Sequence, residues 1–121
     1  TFNATYLFKA KQLADYAVTE FYNQNESVFY FSAKSQNDII LRKTELTDSV
    51  TPSGNSVMAQ NLSKLAVIFD NDEYLRMSNS MLSAIMLSVE KYPLSFGNWA
   101  LNLLQQVYSA KQIAIVGKDY E

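Results

Sequence analysis

Apolar positions along the chain repeat first with helical spacing, then with strand spacing, then helically again. Over residues ~3–23, Tyr6, Leu7, Ala10, Leu13, Ala14, Ala17 and Phe21 fall three or four apart and form one stripe, with Lys9, Lys11, Asp15 and Glu20 off it. Asn23-Gln24-Asn25 ends that pattern. Ser27-Val28-Phe29-Tyr30-Phe31-Ser32 is β-branched and aromatic, as strands prefer, and Asp38-Ile39-Ile40-Leu41-Arg42 reads as its return strand. The two predict a short β-hairpin, and because two strands alone are marginal in water it should lie against helices.

The rest of the chain predicts three more helices. One runs ~55–70 with Met58, Leu62, Leu65, Ala66 and Phe69 on one face. The next, ~73–91, carries Leu75, Leu82, Met86 and Val89 on one side with Met77, Met81 and Ile85 beside them, an apolar arc wide enough for a helix sandwiched between neighbours. Tyr92-Pro93 stops it. A fourth, ~95–110, aligns Phe96, Ala100, Leu103, Leu104 and Val107. Ile113-Ala114-Ile115-Val116-Gly117 reads as a buried C-terminal strand. The short link at Asp70-Asn71-Asp72 makes the second and third helices an antiparallel pair, and the third and fourth should pack the same way. The fold class expected is therefore mainly α: antiparallel helical hairpins with a short β-hairpin and a closing strand.

Composition narrows the chemistry. The 121 residues, 48% hydrophobic, make one domain or part of one. Cys and His are both absent, which removes thiol catalysis, disulfides and the usual zinc sites, and leaves Asp, Glu, Lys or Tyr for any proton transfer. Net charge is −2 without a basic block, so no nucleic-acid partner is expected. No apolar run approaches the roughly 18–20 residues of a membrane span, and Thr1-Phe2-Asn3-Ala4 does not read as a signal peptide, so a cytoplasmic location is expected. No cofactor motif appears. Asp70, Asp72 and Glu73 lack the spaced loop of a calcium site and read as helix caps, so no metal is expected.

One segment could carry chemistry. Arg42, Glu45 and Asp48 lie within seven positions and precede Pro52-Ser53-Gly54-Asn55-Ser56 at the start of the second helix. A helix N-terminus offers unpaired N–H groups and partial positive charge. Ser53 and Asn55 add short polar side chains, Gly54 permits close approach, and Arg42 can grip a carboxylate with two prongs. In one reading Arg42, Ser53, Gly54 and Asn55 bind a hydroxyl-rich ligand, with Glu45 or Asp48 as the catalytic acid or base. In the other, Ser53 and Asn55 are caps and the charges form surface pairs of little energy. Tyr30, Phe31 and Trp99 could stack on a sugar ring, or be core.

Arg42, Glu45, Asp48 and the run Pro52-Ser53-Gly54-Asn55-Ser56-Val57 resemble the C-terminal region of bacterial relatives of spermatogenesis-associated protein 20. The likeness extends to Phe29-Tyr30-Phe31 before the loop, Asn61-Leu62 and Leu65-Ala66 after it, and the closing Ile113–Gly117 run. Where that family tends to Pro-Lys and Gly-Ala, this chain has Lys43-Thr44 and Ser49-Val50. The resemblance implies a fragment of an α/α toroid like that of six-hairpin glycosidases and sugar epimerases, in a protein that also carries a thioredoxin-like domain. It implies a ligand site at the funnel mouth, near Arg42, Glu45, Asp48, Ser53 and Asn55. The expected partners are the remainder of the toroid and the thioredoxin-like domain. A homo-oligomer through exposed apolar helix faces is expected of the chain alone. The competing expectation is a non-catalytic helical scaffold or interaction module.

Overall fold

A computed structural model describes residues 3–108. Four helices dominate: α1 (Ala4–Phe21), α2 (Gly54–Phe69), α3 (Asp72–Lys91) and α4 (Gly97–Val107), with a 3-10 turn at Pro93–Ser95. The mainly helical expectation holds, and each helix lies within a few residues of its expected bounds. The expected strand at 113–117 and the end of the fourth helix at 109–110 lie outside the described residues.

Local chemistry sets the helix ends. Asn3 caps α1 by accepting from the Thr5 N–H at 3.0 Å, and Ser53 caps α2 by accepting from Ser56 N–H at 3.2 Å. Asp70 takes the left-handed conformation (φ 50°) that closes α2, and Asn71 N–H returns to the Ala66 carbonyl at 3.0 Å. Asn71 then caps α3 by accepting from both Glu73 and Tyr74 N–H. Asp72 and Glu73 in the first turn and Lys91 in the last match the dipole of α3. The two-residue link folds α3 back along α2, and these helices share the broadest interface.

The core sits between α2, α3 and α4 and is closed by α1 and the small sheet. Leu62, Met81, Leu82 and Trp99 are all but fully buried at its centre, with Leu65, Ala66, Tyr74, Ile85 and Val89 around them. The apolar face expected of α2 is the one that packs. On α1 the inward arc is rotated from the expected stripe. Ala14, Leu7, Ala17, Val18 and Phe21 face the core, whereas Tyr6, Ala10 and Leu13 are exposed. Two contacts anchor α1: the Phe8 ring sits 5.8 Å from that of Phe69, and Tyr74 donates its hydroxyl to Asp15. Asp15 also pairs with Lys11 at 2.8 Å.

The expected hairpin is half right. Strand β2 (Val28–Phe29) forms, but it pairs antiparallel with β1 (Tyr22–Asn23), directly after α1, and not with 38–42. The intervening turn is tight and places Ser27 at φ 55°. Asp38–Arg42 is irregular, with Ile40 and Leu41 exposed. Three apolar residues in a row, Ile39-Ile40-Leu41, suggest a strand there. The nearer partner wins because closing a four-residue turn costs less entropy than closing a longer loop.

Leu62→Ala should lower the free energy of unfolding by about 2–5 kcal/mol, as a large buried side chain leaves a cavity. Leu87→Ala, at an exposed position of α3, should change it by less than about 0.5 kcal/mol. Urea titration of the two variants checks the assignment of inner and outer faces.

Candidate functional site

The segment from Arg42 to Ser56 wraps the N-termini of α2 and α4, and the side chains of Asp48, Ser53, Asn55 and Ser56 are buried against the protein while Arg42 is half-buried. Asp48 is 8% exposed. Its Oδ1 accepts from the Ser53 N–H at 2.8 Å and the Ser56 hydroxyl at 2.7 Å. Its Oδ2 accepts from the N–H groups of Asn98 at 2.8 Å and Trp99 at 3.3 Å. One carboxylate thus caps the first turn of α4 while it holds the start of α2, although 50 residues separate it from Asn98 in sequence. Burial alone would push its pKa up. The four donors from Ser53, Ser56, Asn98 and Trp99 outweigh that and hold the carboxyl below its ordinary value.

Other bonds tie the same junction. The Asp48 N–H donates to the Ser95 carbonyl at 2.8 Å, and the Trp99 indole N–H donates to the Leu46 carbonyl at 2.7 Å. Ser53 Oγ donates to the same Leu46 carbonyl at 3.3 Å. Asn98 Nδ2 reaches Ser56 Oγ, and Asn102 Nδ2 reaches the Ser56 carbonyl, both at 2.9 Å. Trp99 is core, not a stacking platform: it is 1% exposed.

Asn55 acts as a substitute strand. Its Oδ1 accepts from Phe29 N–H at 2.7 Å and its Nδ2 donates back to the Phe29 carbonyl at 3.0 Å, the pair of bonds a third strand would have made. The same Nδ2 lies 3.1 Å from Thr44 Oγ1 and 2.9 Å from the Glu45 carbonyl. Two hydrogens therefore meet three acceptors, and the amide has no donor left for a ligand. Arg42 donates to the Ser32 hydroxyl and carbonyl, reaches the Glu20 carbonyl, and lies 4.5 Å from the Tyr30 ring centroid. It grips backbone and an aromatic face, and no carboxylate.

Glu45 is the exception. It is exposed, and its carboxylate makes no hydrogen bond or ion pair among the described residues. It lines a hollow of about 170 Å³ with Phe21, Phe29, Tyr30, Phe31 and Met58, into which Gly54 also opens. A Cβ at Gly54 would meet nothing within 4 Å, so neither packing nor a positive φ demands glycine there. The structure joins Asp48 to Ser53 and Ser56, ties Asn55 separately to Phe29, Thr44 and the Glu45 carbonyl and Arg42 to Ser32 and Glu20, and leaves the Glu45 carboxylate apart. Sequence reasoning missed Asn98 and Asn102. Their signal was their four-residue spacing on α4, a helix with no charged residue.

No family model and no solved structure matches this chain. It is similar to the uncharacterized protein B0495.5 of Caenorhabditis elegans, 25% identical over 112 residues, which is 93% of this chain and 15% of that protein. The chain thus spans about 15% of the length of this relative.

The lowered pKa of Asp48 sets a sign for acid sensitivity. A carboxyl depressed in the folded state stabilises fully above its unfolded value, and the contribution fades as pH falls through the folded one. Asp15, lowered by its bonds to Lys11 and Tyr74, acts in the same direction. Stability should therefore decline below about pH 4. Asp48→Asn places an NH2 against N–H donors, so it should cost about 2–4 kcal/mol at neutral pH and flatten the acid decline. Urea midpoints measured across the acid range check both effects.

Proposed function

We propose that this chain is a non-catalytic helical scaffold module, in which the polar loop joins helices and the outer apolar faces receive further protein. The observation that carries this reading is the Asp48 carboxylate, with four donors on its two oxygens. A catalytic acid or base must exchange its proton with a substrate, and a carboxylate so engaged cannot do so without undoing two helix starts. Asp48, so engaged, is not available to Glu45 as the second carboxylate of a catalytic pair. A hydroxyl-rich ligand would also find few polar partners, since the side chains of Ser53 and Asn55 are already bonded.

The wider setting we propose is a portion of an α/α toroid in a longer polypeptide with a thioredoxin-like domain. The resemblance of the Arg42–Val57 segment supports the toroid and the thioredoxin-like domain, and the 15% share of the C. elegans relative supports the longer polypeptide alone. The outer faces agree with it. α4 carries Leu101, Leu104 and Val107 outward and no charge, and α2 exposes Val67 and Ile68 with Lys64 as its single charge. Helices apolar beyond their inward arc are those with a neighbour on each side. No described helix is long and apolar enough to cross a membrane.

Two measurements test the proposal. Asp48→Asn should melt roughly 5–15 °C lower, whereas Glu45→Gln should melt as the parent does, and a panel of sugars should shift neither. Stabilisation by a sugar that disappears in Glu45→Gln would overturn the scaffold reading. In light scattering, the 121-residue chain should self-associate at high concentration through its apolar faces; a clean monomer contradicts that expectation.

A further inference from the structure

The hollow beside Glu45 has a composition of its own. Its wall is mostly aromatic and aliphatic, from Phe21, Phe29, Tyr30, Phe31 and Met58, with Asn55 the polar neutral residue beside them, and Glu45 is the one charged residue that lines it. Phe31 is 65% exposed, so its ring is open to an arriving group. Immediately beside the hollow a cation already rests on an aromatic ring: the Arg42 guanidinium lies 4.5 Å from the Tyr30 centroid. Aromatic faces carry negative quadrupole potential and attract cations, most strongly those with apolar substituents and little hydration to lose.

We propose that this hollow binds an alkylammonium group, its carbon chain against the aromatic wall and its charge toward Glu45. A neutral polar ligand would find an apolar wall and one unpartnered carboxylate, and an anion would meet that carboxylate. Two positive groups oppose it: the start of α2, where Gly54 lines the hollow and the helix end carries roughly +0.5 charge, and the Arg42 guanidinium on the Tyr30 ring. Against them stand two full negative charges, Asp48 bound at that same helix start and Glu45 in the lining of the hollow. A volume of about 170 Å³ suits one such group and not a long segment of chain. The inference rests on the scaffold reading in one respect: with Arg42, Asp48, Ser53 and Asn55 engaged internally, Glu45 is the charged group left to meet a ligand.

The test is an NMR titration of the 121-residue chain, at constant ionic strength, with butylammonium and with its neutral counterpart 1-butanol. The Met58 methyl and the amides of Phe29 and Phe31 report binding. Butylammonium should bind about fivefold more tightly than 1-butanol. Glu45→Gln should abolish that preference, and Phe31→Ala should weaken butylammonium binding; both positions are exposed, and the carboxylate of Glu45 holds no described partner, so both variants should keep the fold. A third titrant, lysine capped at both backbone ends, separates the sources. Binding at least as tight as butylammonium assigns the group to a protein side chain, and weaker binding assigns it to a free amine. Absence of saturable shifts at the three reporters, equal affinity for 1-butanol, or an intact preference in Glu45→Gln would overturn the proposal. Such a failure leaves the melting difference between Asp48→Asn and Glu45→Gln as it stands, and the reverse holds as well.

Discussion

A charged carboxylate taken out of water must recover through hydrogen bonds what it loses in hydration, or it protonates. Asp48 recovers it from groups that themselves need an acceptor. The first N–H groups of a helix have no partner within the helix, and Asn98 and Trp99 are such groups on α4. The Ser53 N–H, on the residue that caps α2, is the third, and the Ser56 hydroxyl is the fourth. Each side of the bargain removes an unsatisfied buried group from the other, so the loss of any member exposes the rest. The register of the loop, the entry angle of α4 and the seat of Trp99 under the Leu46 carbonyl all follow from this junction.

Helical periodicity was legible because burial follows it. The packing face of α2 could be written from Met58, Leu62, Leu65, Ala66 and Phe69 before any coordinates. α1 was read less well, since Tyr6 and Leu13 satisfy the same spacing as Leu7 and Ala14 and only tertiary contacts choose between the two arcs. The hairpin was misread for a similar reason. Val28–Phe29 has strand chemistry, but its pairing depends on which chain passes nearest, and Ile39-Ile40 offered an apolar decoy. Apolar runs specify burial poorly when polar residues on either side keep a loop in water.

The site was legible as a location and not as a mechanism. Asp48 and Ser53 do meet, while Asn55 is spent on the Phe29 backbone and Arg42 on the backbone of Ser32 and Glu20. A pair such as Asn55 and Phe29, 26 residues apart, leaves no local signal of the amide that stands in for a strand. The polar residues of α4 hold the same lesson. Asn98 and Asn102 on an uncharged helix mark a buried polar seam, and sequence spacing alone does not say what they meet. Glu45 differs from its neighbours in that none of the described structure uses its carboxylate, and this separation divides the architectural part of the loop from the part open to a ligand.

Amide hydrogen exchange on the unmodified chain tests the central claim most directly. First-turn amides of an uncapped helix exchange nearly as fast as those of an open peptide. If the Asp48 carboxylate unites the two helix starts, the N–H groups of Ser53, Asn98 and Trp99 should be protected to the level of Leu62 in the middle of α2. Exchange of those three amides at open-peptide rates, while Leu62 stays protected, would contradict it.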